Sequence, residues 1–275
     1  MRRLNDVLFP RTTTRMALLA LGLMLTVARL VSLAADEQGA ATQALKEKTE
    51  QAGKAEKTEK AEKAEKEVAK EPAWKSLFDG KTLKNWKSSN FGGEGKVGVE
   101  EGMIVLNQGS DMTGVTWTGE ALPKMNYEVS IMAQRIEGND FFCGLTFEIN
   151  EDPCSLIIGG WGGGVVGISS LDGLDAANNE TAHYESFERG QWYKIRLRVA
   201  EAGLMAWIDD KQVVSVSTKG RKISIRGEVD PSRPFGISCY ATMAGLKEIK
   251  IRNLTEDEKK LPLIRAANPP KAKAK

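Results

Sequence analysis

Between Ala73 and Leu254 the chain repeats one pattern: short runs of alternating apolar and polar residues, bounded by glycine, aspartate or asparagine. Alternation places every second side chain on one face of an extended strand, so each run buries one face and leaves the other wet. In YKIRLRV, Tyr193, Ile195, Leu197 and Val199 share a face, and Lys194, Arg196 and Arg198 take the other. In NYEVSIMAQ the apolar face is Tyr127, Val129, Ile131 and Ala133. GLMAWIDDKQVVSVS reads as a hairpin turning at Asp209-Asp210-Lys211, and GLKEIKIRN closes the series with Ile249 and Ile251 inward. No run in this region has sustained helical spacing. Many strands without intervening helices predict an all-β chain folded as an antiparallel sandwich, because each apolar face must meet another.

The two ends read differently. Arg2, Arg3, Arg11 and Arg15 precede the apolar run Met16–Ala28, which is of signal-peptide rather than spanning length, and Ser32–Ala34 supplies small residues for cleavage. Residues 1–34 are therefore expected to be a signal peptide. Arg29 interrupts the run before the cut, and a retained N-terminal membrane anchor is the alternative. Removing this segment, with its five arginines and one aspartate, turns the net charge from +2 to −2. A weakly acidic chain has no electrostatic reason to bind nucleic acid. Residues 35–72 are almost entirely Ala, Lys, Glu, Gln and Thr, with acid-first pairs such as Glu56/Lys60 four apart. They carry no apolar stripe, so the expectation is a solvated, partly helical linker. Residues 255–275 are expected to be a basic flexible tail.

The stretch SLIIGGWGGGVVGISSLDG contains G-x-G-x-x-G at Gly162, Gly164 and Gly167. That fingerprint holds a dinucleotide only where the third glycine opens a helix. ISSLDGLDAANN, which follows, has no helical spacing, so no nucleotide is expected. Two other reasons for glycine stay open. Strands lining a binding groove gain from residues without side chains, which would leave Trp161 exposed as a flat ring for a sugar face. Alternatively Gly159–Gly164 forms a bulge and wide turn, with Trp161 tucked over a sheet edge.

Residues able to do chemistry are few. His183 is the one histidine and there are three cysteines, which excludes a three-histidine zinc site. No G-x-S-x-G elbow is present. His183 is a candidate base by its ordinary pKa, or simply a solvated loop residue. In FFCGLTFEI, Phe141, Cys143, Leu145, Phe147 and Ile149 make one apolar face, leaving Phe142, Gly144, Thr146 and Glu148 on the other. If the first set is inward, Thr146 and Glu148 face a groove. Asn139 and Asp140 just before could bond sugar hydroxyls or merely form a turn. Asp172 and Asp175, with Asn178, Asn179 and Glu180, offer oxygen ligands to calcium or another divalent metal, without EF-hand spacing. Cys143 and Cys154 flank a strand connection and could form a disulfide; equally, they and Cys239 could be small buried hydrophobes.

WKSLFDGKTLKNWK near the start, the hairpin AWIDDKQVVSV and the closing IKIRNL resemble the bacterial 3-keto-disaccharide hydrolase family over nearly all of residues 73–254. The resemblance implies a concanavalin A-like, laminin-G-like jelly roll and cleavage of glycosides whose C3 hydroxyl has become a ketone. The middle departs from the family: GNDFFCGLTFEI stands where many members read like NSGIFFR. On this reading Glu148 and His183 are the catalytic candidates, and Trp161, Asp140, Asn139 and Thr146 the substrate-binding ones. A non-catalytic carbohydrate-binding module, tethered to membrane or envelope through the linker, is the alternative, with a structural envelope domain third.

Overall fold

The computed structural model describes residues 73–264. The expected signal segment, the linker and the end of the basic tail lie outside the described residues. Two antiparallel sheets make the domain. One runs β13 (Lys211–Val216), β12 (Gly203–Ile208), β11 (Trp192–Ala200), β6 (Tyr127–Gly138), β15 (Thr242–Asn253), β4 (Met103–Leu106) and β3 (Val97–Glu100), with β1 (Lys75–Ser76) also paired to β15. The other runs β10 (His183–Tyr184), β9 (Val165–Ser169), β8 (Asp152–Gly160), β7 (Cys143–Ile149), β14 (Gly236–Tyr240), β5 (Met112–Trp117) and β2 (Trp86–Ser88). This is the antiparallel sandwich the alternation predicts and the jelly roll the family resemblance implies.

The core lies between the sheets. Tyr193, Ile195, Leu197 and Val199 of β11 and Val129, Ile131 and Ala133 of β6 are buried with Leu145 and Phe147 of β7 and Leu156 and Ile158 of β8. Each fully buried large apolar side chain contributes about 1.5–3 kcal/mol by leaving water. The β12–β13 hairpin turns where expected, with Asp209 at φ 47° and Asp210 at φ 66°, the left-handed pair that matches strand twist.

Three expectations change. Phe141 and Phe142 exchange faces: Phe142 is fully buried in the core, and Phe141 packs outside it against Ile157, Val165 and Ala176. Alternation holds only within a paired strand, and the β7 ladder starts at Cys143. Next to it β8 bulges against β9 between Ile158 and Gly160, and Gly159 there leaves room for the Phe142 ring, which a Cβ would meet at 3.0 Å. The second drops the disulfide alternative and keeps the other, three small buried hydrophobes. Cys143 pairs in register with Ile158 and Cys154 with Phe147, so they sit on different rungs and all three thiols are free and buried. Burial pushes each thiol up to about 12, which leaves it unreactive at neutral pH.

The third change is at the C-terminus, where the tail's first residues are ordered into a helical turn. Thr255 caps α1 (Glu256–Lys259) in a reciprocal capping box with Glu258. The Glu258 carboxylate also accepts from Arg252 at 2.6 Å and 2.8 Å and from Arg198 at 3.1 Å. These bonds, Arg252's first, hold its pKa down at about 2 against the effect of burial.

Candidate functional site

The outward face of the seven-stranded sheet is floored by small residues. Register places Gly114, Ser238, Gly144, Ile157 and Gly167 in one row, and Thr116, Gly236, Thr146, Ser155 and Ser169 in the next. Two chain segments lie over this floor. Ala176 packs on Ile157 and Val165, and a Cβ on Gly167 would meet the Ala176 carbonyl at 2.9 Å, so glycine is needed for that approach. On the other side, the Thr116 hydroxyl donates to the Pro231 carbonyl at 2.8 Å, which seats the 3-10 turn Gly227–Ser232. Between these covers a cavity of about 540 Å³ stays open, within the range of small-molecule sites.

Its walls combine flat apolar rings with polar groups. Phe141 and Tyr240 stack at 6.0 Å with planes 22° apart, and Trp161 and Phe91 add further rings. Asp111, Asp140, Arg226 and Glu228 supply charge around them, and Ser155 and Ser169 lie at the bottom. The Ser155 hydroxyl lies 3.2 Å from that of Thr146. The buried Ser169 hydroxyl has no hydrogen-bond partner among the described residues.

The glycine run owes its composition to a residue that no sequence motif marks. Arg135 of β6 is 5% exposed and donates to four carbonyls: Asp140 at 3.2 Å, Phe187 at 3.3 Å, Gly159 at 3.2 Å and Gly163 at 2.9 Å. Its guanidinium also lies over the Phe142 ring at 5.2 Å. Burial lowers its pKa, and the nearby Asp140 charge opposes that. A Cβ on Gly159, at φ 79°, would stand 2.6 Å from the Arg135 guanidinium; one on Gly163 would stand 2.8 Å from the Asn139 carbonyl. The turn thus wraps a buried cation, and only glycine fits around it. Asp140 fixes the turn from the other side, accepting from Phe141 N–H and Gly162 N–H, each at 2.8 Å. Trp161, at the top, has φ 48° and is 43% exposed. A bulky residue held left-handed and left exposed is strain that packing does not explain. Both readings of the glycine run contribute: there is a bulge and turn, and the tryptophan is out in the cavity. No helix follows; Gly167 lies inside β9.

Of the sequence-predicted residues, the structure brings Trp161 and Asp140 together in this cavity, with Thr146 beneath it through Ser155. Asn139 lies on the far side of the turn. Glu148 faces outward as expected, but one outward row beyond Thr146, about 7 Å along the strand, and pairs with Lys124 at 3.2 Å. It does not line the cavity. His183 is not a solvated loop residue. It pairs in register with Val166, whose side chain is in the core, so its ring turns between the sheets, 2.8 Å from Glu185, which also meets Lys211 of the facing sheet. Asp172 and Asp175 each meet an arginine: Asp172 takes Arg221 at 2.6 Å and Lys222 N–H at 2.8 Å, and Asp175 lies 3.6 Å from Arg226. Among the described residues no three His, Cys, Asp or Glu side chains are grouped to hold a metal ion. The calcium expectation therefore finds no donor set here.

The model of one protein family, the 3-keto-alpha-glucoside-1,2-lyase-like domain, matches residues 73–255. Among solved structures, the chain is similar to carbohydrate-binding module CBM66 from Bacillus subtilis, at 11% identity, TM-score 0.42, covering 62% of this chain and 96% of that one. It is similar also to the Crh5 transglycosylase in complex with NAG, at 12% identity and TM-score 0.47, covering 71% and 85%. A third is SCLam, a non-specific endo-β-1,3(4)-glucanase from family GH16, at 11% identity and TM-score 0.42, covering 66% and 93%. No curated protein matches the chain in sequence.

Proposed function

Because the chain belongs to the 3-keto-alpha-glucoside-1,2-lyase-like domain family, a carbohydrate-active one, we propose that its cavity binds a 3-keto-glycoside and cleaves it by elimination. One observation carries the reading: Trp161 is forced into a left-handed backbone and exposed beside the Phe141–Tyr240 stack, above a floor of hydroxyls. A sugar presents an apolar C–H face and a rim of hydroxyls, and this wall supplies a ring for the first and donors for the second.

A C3 ketone acidifies the C2–H. A carboxylate takes that proton, the electron pair forms the C2–C3 enolate, and the pair then returns to restore the ketone, forming C1=C2 while the C1–O bond breaks. The leaving oxygen takes up a proton, and water can add to the product afterwards. The carboxylates that line the cavity are Asp111, Asp140 and Glu228, which favours a base among them over Glu148 or His183. Asp111 and Glu228 are the better candidates, since both Asp140 oxygens already accept backbone N–H groups. Arg226, 2.7 Å from Glu228, is the group suited to the enolate oxygen.

The test is turnover of a 3-keto-α-glucoside beside its unoxidised parent. Cleavage of the keto sugar alone, slowed about a hundredfold or more by Asp111→Asn or Glu228→Gln but not by Glu148→Gln, supports the proposal. Binding without turnover supports the second reading, a carbohydrate-binding module. That reading is favoured by the engagement of Asp140 with two N–H groups and of Glu228 with Arg226. We further propose export, with the mature chain starting near Ala35; N-terminal sequencing from the native host checks it, and an intact Met1 in membranes would favour the anchor.

A further inference from the structure

The outward row of hydroxyls beneath the cavity is paired along its length, except at its end. The Ser89 hydroxyl lies 2.7 Å from that of Thr116, which donates to Pro231, and the Thr146 hydroxyl lies 3.2 Å from that of Ser155. Ser169 stands directly opposite Ser155 in the β8–β9 ladder and is 1% exposed. Its hydroxyl has no partner among the described residues. The next strand supplies none, because β10 pairs with β9 only at Val165 and Val166 and stops short of Ser169. The Ser232 hydroxyl is unpartnered too, but Ser169 borders the cavity and Ser232 does not.

A buried hydroxyl without a partner costs stability that an alanine at the same place would not. Side chains directly opposed on paired strands have Cβ atoms about 4.5–5.5 Å apart. One ligand hydroxyl placed between Ser155 and Ser169 can therefore reach both at about 2.8 Å. It can donate to one serine and accept from the other, a match that a methylene at the same position cannot make.

The neighbouring chain decides which part of a ligand comes here. Ser170 N–H donates to the Ser224 carbonyl at 2.7 Å, and Ser224 N–H returns a bond to the Ser170 carbonyl at 3.3 Å. This ties the segment carrying Arg226, two residues on, to Ser169's end of the cavity, which both residues line.

Resting on the sugar-site reading, we propose that Ser169, with Ser155 opposite, is the residue that determines specificity for a hydroxyl on C4 of the keto ring. With the keto oxygen towards Arg226, the groups nearest Ser169 are those on the carbons flanking C3. C2 turns its hydrogen to the base, which leaves the C4 hydroxyl for the serine pair. A sugar lacking that hydroxyl leaves Ser169 buried and unbonded, and is rejected for that reason.

The experiment compares methyl 3-keto-α-glucoside with its 4-deoxy and 6-deoxy analogues, read as kcat/KM where there is turnover and as Kd by calorimetry where there is none. Wild-type protein should disfavour the 4-deoxy sugar by about tenfold, the worth of one or two hydrogen bonds. Ser169→Ala should weaken the parent sugar by about five- to tenfold and treat it and the 4-deoxy sugar within about twofold of each other. The ratio of parent to 6-deoxy sugar should stay as in wild type. The variant's thermal midpoint should hold or rise, since the hydroxyl it loses bonds nothing in the protein. A lowered midpoint would make the hydroxyl a structural group and overturn the inference. A 4-deoxy sugar taken as well as its parent, or a preference that Ser169→Ala keeps, overturns it too and leaves the sugar site standing. Failure of the parent sugar to bind overturns the sugar-site reading and this inference with it.

Discussion

The outward faces of the two sheets are built on opposite principles. The eight-stranded sheet covers its outer face with charge. Glu128, 1% exposed, accepts from Arg196 at 3.0 Å, Arg198 at 2.8 Å and Arg252 at 2.9 Å, while Trp207 and Trp74 lie against the guanidinium groups. Register explains the cluster: Arg198 and Arg252 stand directly opposite Glu128 on the strands either side of it. The seven-stranded sheet instead carries glycine, serine and threonine outward, and its one nearby buried cation, Arg135, is satisfied by carbonyls. The first face is filled and closed. The second is emptied at side-chain level, so covers can approach yet leave a cavity. With one shared core, the buried charge network and the cavity are thereby separated onto different faces.

The comparison can be broken experimentally. The largest effect should come from Glu128→Ala, which leaves three arginines around a buried void of charge; a loss of about 3–5 kcal/mol is expected in urea unfolding. A near-neutral result would mean the closed face is ornamental. Next is Gly159→Ala, which puts a methyl 2.6 Å from Arg135 at φ 79°. It should cost about 1–3 kcal/mol and weaken sugar binding, whereas Glu128 variants that remain folded should bind normally.

Acid should weaken the closed face. Glu258 is held down at about 2, so its contribution is complete above its unfolded pKa and is lost as pH falls from there towards 2. Glu258→Gln should lower stability at pH 7 by about 1.5–2 kcal/mol and flatten the acid limb of the stability curve. An unchanged limb would remove Glu258 from the network. The smallest effect on stability, and the most telling, belongs to Trp161→Gly. Glycine relieves the left-handed backbone, so thermal stability should hold or rise by up to about 1 kcal/mol. Sugar affinity should fall about tenfold. Loss of both would make Trp161 a packing residue.

Much of this was legible in the sequence. Tyr193, Ile195, Leu197 and Val199 announce β11 because a period of two is local, and the Asp209–Asp210 turn is a local matter too. The parity that turns Thr146 and Glu148 outward was legible for the same reason. What was hidden is nonlocal. The cavity's extent along β7 depends on Ala176 and Pro231 covering the sheet, so Glu148 could be given its face but not its distance from the site. Arg135 reads as an ordinary charge in AQRIEGND, and only the fold brings Phe187, Gly159 and Gly163 to it. His183 looked like a loop residue because a two-residue edge strand leaves almost no pattern.

On the proposed reading the sugar binds at Trp161, on the outer face of the seven-stranded sheet. A crystal structure with a 3-keto-α-glucoside whose glycosidic oxygen is replaced by carbon, and which therefore cannot be cleaved, tests it most directly. The pyranose should lie against the Trp161 ring, its keto edge towards Arg226 and hydroxyls over Ser155 and Ser169. A sugar seated at Glu148 and Lys124, or on the arginine-covered face of the other sheet, would contradict it.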